Sequence, residues 1–203
     1  MHIIEELARQ LESWRALLPR PLQWSDNDRT EFPDVSLTGR QDNRLAPLNI
    51  DQGSIPNNHR DNLDIITAQL RTQFHYARFV IYRPFVYKAL HFPELMTEED
   101  QICCALAIQS VCFWPLTLAP AKNKKRLVPY LFTWTQNFVG ILIILRMTTE
   151  SECLKKICNE RLVQKDLEQT TKLMLEWIQD IKQVDGIAEW SWKILGPLYS
   201  KHT

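Results

Sequence analysis

Apolar residues recur along this chain at intervals of three and four, the spacing that places them on one face of a helix. Near the start they fall at Ile4, Leu7, Leu11, Trp14 and Leu18, predicting a helix over Ile3 to Leu18. Pro19 and Pro21 end it, because proline donates no backbone hydrogen bond and crowds the preceding turn. From Arg20 to Asn58 the pattern lapses. Pro33, Gly39, Pro47, Gly53 and Pro56 punctuate a polar stretch that reads as a long connector, with Trp24 and Phe32 as its anchors. Periodicity resumes at Leu63, Ile66, Leu70, Phe74, Ala77 and Ile81, predicting a helix from His59 to Val80 or beyond. A proline inside a helix costs about 3 kcal/mol, so a kink or break is expected at Pro84.

Thr97-Glu98-Glu99-Asp100 has the form of a helix start, with Thr97 capping, Asp100 reaching back, and the acids facing the positive end of the dipole. That helix carries Ile102, Cys103, Leu106 and Phe113, and Pro115 is expected to bend or end it. A helix from Pro129 to Met147 is apolar nearly all round, the mark of a central element. Shorter helices follow around 152–162 and 165–182, the latter burying Val163, Leu167, Met174, Ile178 and Ile181. The last spans Ile187 to Leu195. Trp190 and Trp192 are two positions apart on it and point in different directions, so one can be buried while the other is exposed. No strand alternation and no internal repeat is present. The expected fold is all-α: one domain over 1–203, an irregular bundle of about six to seven helices, with 20–58 as a long N-terminal connector.

Composition narrows the functions open to such a bundle. Lys plus Arg and Asp plus Glu are both 24, so the net charge is zero. A domain that grips nucleic acid neutralises phosphates and usually shows a basic excess. Direct DNA binding is therefore not expected. The most apolar run, Phe138 to Leu145, is far short of the ~20 residues a membrane span requires, and no membrane partner is expected. The N-terminus lacks the basic-then-apolar pattern of a secretory signal. Five cysteines, mostly among apolar neighbours and without C-x-x-C spacing, read as reduced core thiols rather than zinc ligands. No metal and no cofactor is expected. Gly-rich phosphate loops, H-E-x-x-H and paired-carboxylate motifs are absent, and His75 and His91 lack a sequence-evident partner for acid–base work. The chain does not read as an enzyme.

Several segments resemble one lineage of fungal zinc-cluster (six-cysteine) transcription factors. One runs from Leu70-Arg71 through Tyr76-Ala77-Arg78-Phe79-Val80-Ile81-Tyr82-Arg83-Pro84-Phe85 to Leu90-His91-Phe92-Pro93. A second is Lys125-Arg126-Leu127-Val128-Pro129-Tyr130-Leu131-Phe132, continuing into Trp134-Thr135-Gln136-Asn137-Phe138. A third is Ile187-Ala188-Glu189-Trp190-Ser191-Trp192, and Trp14 before Leu17-Leu18-Pro19 resembles the family's helix ahead of its variable connector. The resemblance covers nearly all of the chain outside the connector. It implies the family's all-helical regulatory region, which tunes transcription and in some members responds to small molecules. The family's DNA-binding cysteine cluster and coiled-coil segment have no counterpart in these 203 residues.

The resemblance thus implies a transcription-regulatory domain in the nucleus, with the cytoplasm as the alternative. It would act through protein contacts with the transcription machinery or another regulator, and could take a small apolar effector. The alternative reading is a helical small-molecule-binding protein or enzyme from a biosynthetic gene cluster. Candidate ligand or packing residues are Tyr76, Tyr82, Arg83, Pro84, Phe85 and Trp134. Their aromatic density around a helix-breaking proline suits either a pocket or a core. Arg83 could instead cap a broken helix end. The basic cluster Lys122, Lys124, Lys125 and Arg126 is a candidate nuclear-import signal or a solvated loop.

Overall fold

The structure, a computed structural model, describes residues 2–26, 58–118, 131–183 and 185–200. Of 58–65, 68, 114–118, 131–135 and 180 it describes the backbone alone. Among the described residues there are seven helices: α1 (His2–Ala16), α2 (Asn58–His91), α3 (Glu98–Leu118), α4 (Leu131–Glu150), α5 (Glu152–Arg161), α6 (Gln164–Ile181) and α7 (Gly186–Tyr199). Single 3₁₀ turns follow α1 at Arg20–Leu22 and α2 at Pro93–Leu95. No strand occurs among the described residues, so the chain is all-α as expected. Among them, no helix is long and apolar enough to cross a membrane.

Helix starts follow local chemistry. Asp185 Oδ1 accepts from the amides of Ile187 (2.7 Å) and Ala188 (3.1 Å) and begins α7. Ser151 Oγ accepts from the Leu154 amide at 3.4 Å and begins α5. At α3 the sequence-predicted capping box is complete: the Asp100 amide donates to Thr97 Oγ1 (3.2 Å), and the Thr97 amide donates to Asp100 Oδ2 (2.9 Å). Two backbone donors that the helix cannot satisfy internally are met this way.

The core lies between α2–α3, which make the most extensive helix pair, and the α4–α7 half. Ile108, Phe138, Leu142, Leu154, Met174, Ile178 and Leu195 are fully enclosed. Burying one such side chain is worth about 1.5–3 kcal/mol. Phe138 meets Trp177 edge-on at 5.8 Å. Two polar ties fix the layers: the Thr170 hydroxyl donates to the Cys112 carbonyl (3.1 Å), and the Tyr199 hydroxyl donates to the Leu142 carbonyl (2.7 Å). The cysteines are free thiols, with Cys104, Cys112 and Cys158 in the core as composition suggested.

The structure corrects several expectations. Of the kink or break expected at Pro84, the break does not occur: α2 continues through it to His91. Pro84 and Val80 lie on its solvent face, where the carbonyl that loses its partner is in reach of water. Phe79 before it and Phe85, Val86 and Ala89 after it are all buried, so packing on both sides holds the helix through. With no break, Arg83 does not cap a helix end at this point; its side chain is exposed. α3 likewise continues past Pro115 to Leu118, and turns Cys104, Ala107, Ile108 and Val111 inward while Ile102 is largely exposed. Val163 is also exposed; it precedes α6 instead of joining its inner face. Trp190 and Trp192 divide as predicted, Trp190 exposed and Trp192 packed against the core.

α1 departs furthest from its predicted role. None of its residues is buried. Ile4 and Leu11 are half-buried, as is Leu18 just past the helix, whereas Ile3, Leu7 and Trp14 form an outer stripe that Leu17 extends beyond the helix end, with Ile3 at 77% and Leu17 at 83% exposure. The single apolar face of the sequence pattern is two neighbouring stripes, and only one of them meets the bundle.

Candidate functional site

The N-terminal half of α1, the Pro84 turn of α2 and the start of α3 enclose an open cleft of about 470 Å³. This is within the ~300–1,000 Å³ range of small-molecule sites. Ile4, Pro84 and Phe85 form its apolar wall. Lys88, Thr97, Glu99 and Asp100 form the polar wall. Lys88 lies one helical turn beyond Pro84, on the side of α2 that approaches α3. The capping box brings Asp100 back toward it.

Asp100 is the node of the polar wall, and only 4% of it is exposed. Its Oδ2 accepts from Lys88 Nζ at 2.6 Å, from the Thr97 hydroxyl at 2.8 Å and from the Thr97 amide at 2.9 Å. The Lys88 ammonium, followed by the Thr97 bonds, holds the carboxyl below its ordinary pKa, so it stays ionised through the neutral range. All the bonds described for Asp100 fall on Oδ2. Glu98 pairs with Arg161 of α5, tying the lip of the cleft to the far half of the bundle.

A second concentration of polar groups lies further along α2, beneath the segment following α1. The Arg15 guanidinium bonds Asp26 (3.0 Å) and the Trp24 carbonyl (3.1 Å), and stands 5.1 Å from the ring centres of both Trp24 and Phe74. Trp24 meets Phe74 edge-on, so it anchors the start of the connector as the sequence suggested. The rest of the connector, 27–57, lies outside the described residues. His75 is fully buried, stacked on Phe113 at 5.1 Å, and neither ring nitrogen has a hydrogen-bond partner. Burial pushes its pKa down to about 3, so it is neutral near pH 7. Apolar and aromatic contacts enclose it, and this cluster reads as a packing joint.

The sequence-predicted residues separate on this map. Pro84 and Phe85 line the cleft, and Phe85 is also core. Tyr82 packs against the core near Phe85, ring centres 6.5 Å apart, and burial raises its phenol pKa. Tyr76 and Arg83 face solvent on the outer side of α2. Trp134 lies in the first turn of α4, its side chain outside the described residues, and Lys122, Lys124, Lys125 and Arg126 lie outside them altogether. The predicted aromatic set is therefore not one pocket. Ile4 and Lys88 were not singled out by sequence. Thr97 and Asp100 were, as a cap. The only sequence signal for Lys88 was its placement one turn after Pro84, which gains meaning once α3 is folded back beside it.

Among the described residues no group of three or more His, Cys, Asp or Glu side chains is placed to hold a metal ion. The fold and site together define, among the described residues, an all-helical domain with an open cleft walled by α1, α2 and α3. No known protein family matches the chain, and neither a curated protein nor a solved structure is significantly similar to it.

Proposed function

We propose that the chain is a transcription-regulatory domain that acts through protein contacts in the nucleus and takes a small, largely apolar effector in the α1–α2–α3 cleft. The observation that carries this reading is the double duty of α1. Its inner stripe places Ile4 on the cleft wall, and its outer stripe offers Ile3, Leu7, Trp14 and Leu17 to solvent. Exposed apolar stripes of this kind are where partner helices dock. An element without a buried residue is also the least costly part of a bundle to move. An occupant that fills the cleft against Ile4 therefore re-seats the surface a partner touches. The segment patterns around Pro84 and Trp190 support the regulatory reading, and the neutral charge balance fits action through protein rather than through phosphate.

The test is a tethering assay. The full chain, fused to an unrelated DNA-binding module, is expected to change output from a reporter in fungal cells. Leu7→Glu with Leu17→Glu, both on the exposed stripe, is expected to remove the change at equal protein level. Output identical to that of the DNA-binding module alone would overturn the reading.

A further inference from the structure

The joint around Arg15 concentrates buried polar atoms that other protein groups leave unanswered. His75 is fully enclosed, and both its ring nitrogens lack a hydrogen-bond partner. Trp24 Nε1 and Asp26 Oδ1 are buried without a partner as well. Buried polar atoms are ordinarily hydrogen-bonded, because a bare one forfeits its interaction with water. These belong to one chain of contacts: Trp24 meets Phe74 at 5.6 Å, Phe74 meets His75 at 5.3 Å, and His75 stacks on Phe113.

The cover over this joint is light. The Arg20–Leu22 turn and α1 both pack on α2, yet no residue of α1 or of 20–26 is buried. Arg15 is the fastening. It bonds Asp26 Oδ2 and the Trp24 carbonyl, and stands over the rings of Trp24 and Phe74. Charge decides what a proton does beneath it. Arg71 and Arg78 of α2 and Arg15 of α1 bring positive charge near His75, and Asp26 brings negative charge. From α3 it meets Phe113, which is uncharged. Burial is the main cause of the low pKa of His75, about 3; Asp26 opposes it and the three arginines add to it.

We propose that residues 20–26 and the C-terminal half of α1 form an acid-released strap: lifting them lets water reach His75, and the proton that His75 then takes holds the strap open. Once open, His75 regains the ordinary imidazole value of about 6.5. Opening is therefore indifferent to pH above that value and about tenfold more favourable for each pH unit below it. Neither the effector nor the partner contact proposed above enters into this device.

Hydrogen–deuterium exchange of the full chain at a series of pH values between 7 and 5, expressed as amide protection factors, tests it. Amides of 14–18 and of Leu22 and Gln23 should open more often than those of α6, and their opening should rise about tenfold per pH unit below about 6.5. His75→Phe, which keeps a ring against Phe113, should abolish that dependence. Arg15→Leu, a change at the fastening alone, should raise opening about fivefold at every pH and leave the dependence intact. Strap opening that ignores pH in the wild type overturns the proposal, as does a dependence that survives in His75→Phe or an Arg15→Leu strap that opens no more than the wild type. Opening that falls on acidification also overturns it, because His75 would then pair with Asp26 Oδ1 in the closed joint. Opening no more frequent than that of α6 would be unfolding of the whole chain, and no strap would exist.

Discussion

Replacing Asp100 with alanine probes the joint on which both the fold at α3 and the cleft wall depend. The substitution removes three interactions at once. Loss of the reciprocal cap, worth about 1 kcal/mol at a typical helix start, frees the Thr97 amide. Loss of the Lys88 pair contributes less than its 2.6 Å length suggests, because the lysine side chain is a third exposed, and such pairs are worth roughly 0.2–1 kcal/mol. The Thr97 hydroxyl bond adds about 0.5–1 kcal/mol. The total is about 2–3 kcal/mol, or roughly 5–10 °C in melting temperature for a chain of this size. The effect has a pH signature. The folded-state pKa of Asp100 is depressed, so its contribution is full above the unfolded value near 3.8 and disappears as pH falls through the lower folded value. Urea unfolding of wild type and Asp100→Ala at a series of pH values is the assay. The gap between them should be constant from pH 7 down to about 4 and then close. A gap below about 0.5 kcal/mol at pH 7, or one that persists unchanged into strong acid, would refute this account of the cap.

Other residues supply independent checks. His75 is buried neutral with its pKa pushed down to about 3, so protonation favours the unfolded chain; wild type should lose stability as pH falls below about 6.5, and His75→Phe should flatten that limb and raise stability at neutral pH. Denaturation curves of both proteins between pH 7 and 5 decide it. Met174 has no exposure, so Met174→Ala should cost about 2–5 kcal/mol, whereas Ile143→Ala on the exposed side of α4 should cost far less; a similar loss in both would contradict the assigned core. Burial raises the thiol pKa values of Cys104 and Cys112 to about 12 and of Cys158 to about 11, while Cys103 and Cys153 remain partly exposed. Thiol-reagent titration of the native protein at pH 8 should modify those two quickly and the other three only on unfolding.

How much of this was legible in the sequence depends on the scale. Helix identity came from periodicity and caps, both local, and Thr97-Glu98-Glu99-Asp100 formed the cap its residues prescribe. α1 does end ahead of Pro19 and Pro21, but no break follows at Pro84, because it sits on a wet face between buried residues and tertiary packing outweighs one lost hydrogen bond. Which stripe of a helix faces inward was legible for α6 at Leu167, Met174 and Ile178, where the polar positions are clean. It was not legible for α1 and α3, whose apolar residues surround more than one face. The cleft was least legible. Pro84 and Phe85 were in view, but Ile4 and Asp100 join them only through contacts between elements far apart in sequence.

The central claim is that α1 is both a cleft wall and a movable contact surface. Hydrogen–deuterium exchange on the full chain measures this. Amides of α1 should exchange well before those of α3 and α6. Exchange of α1 as slow as that of α3 and α6 would contradict it.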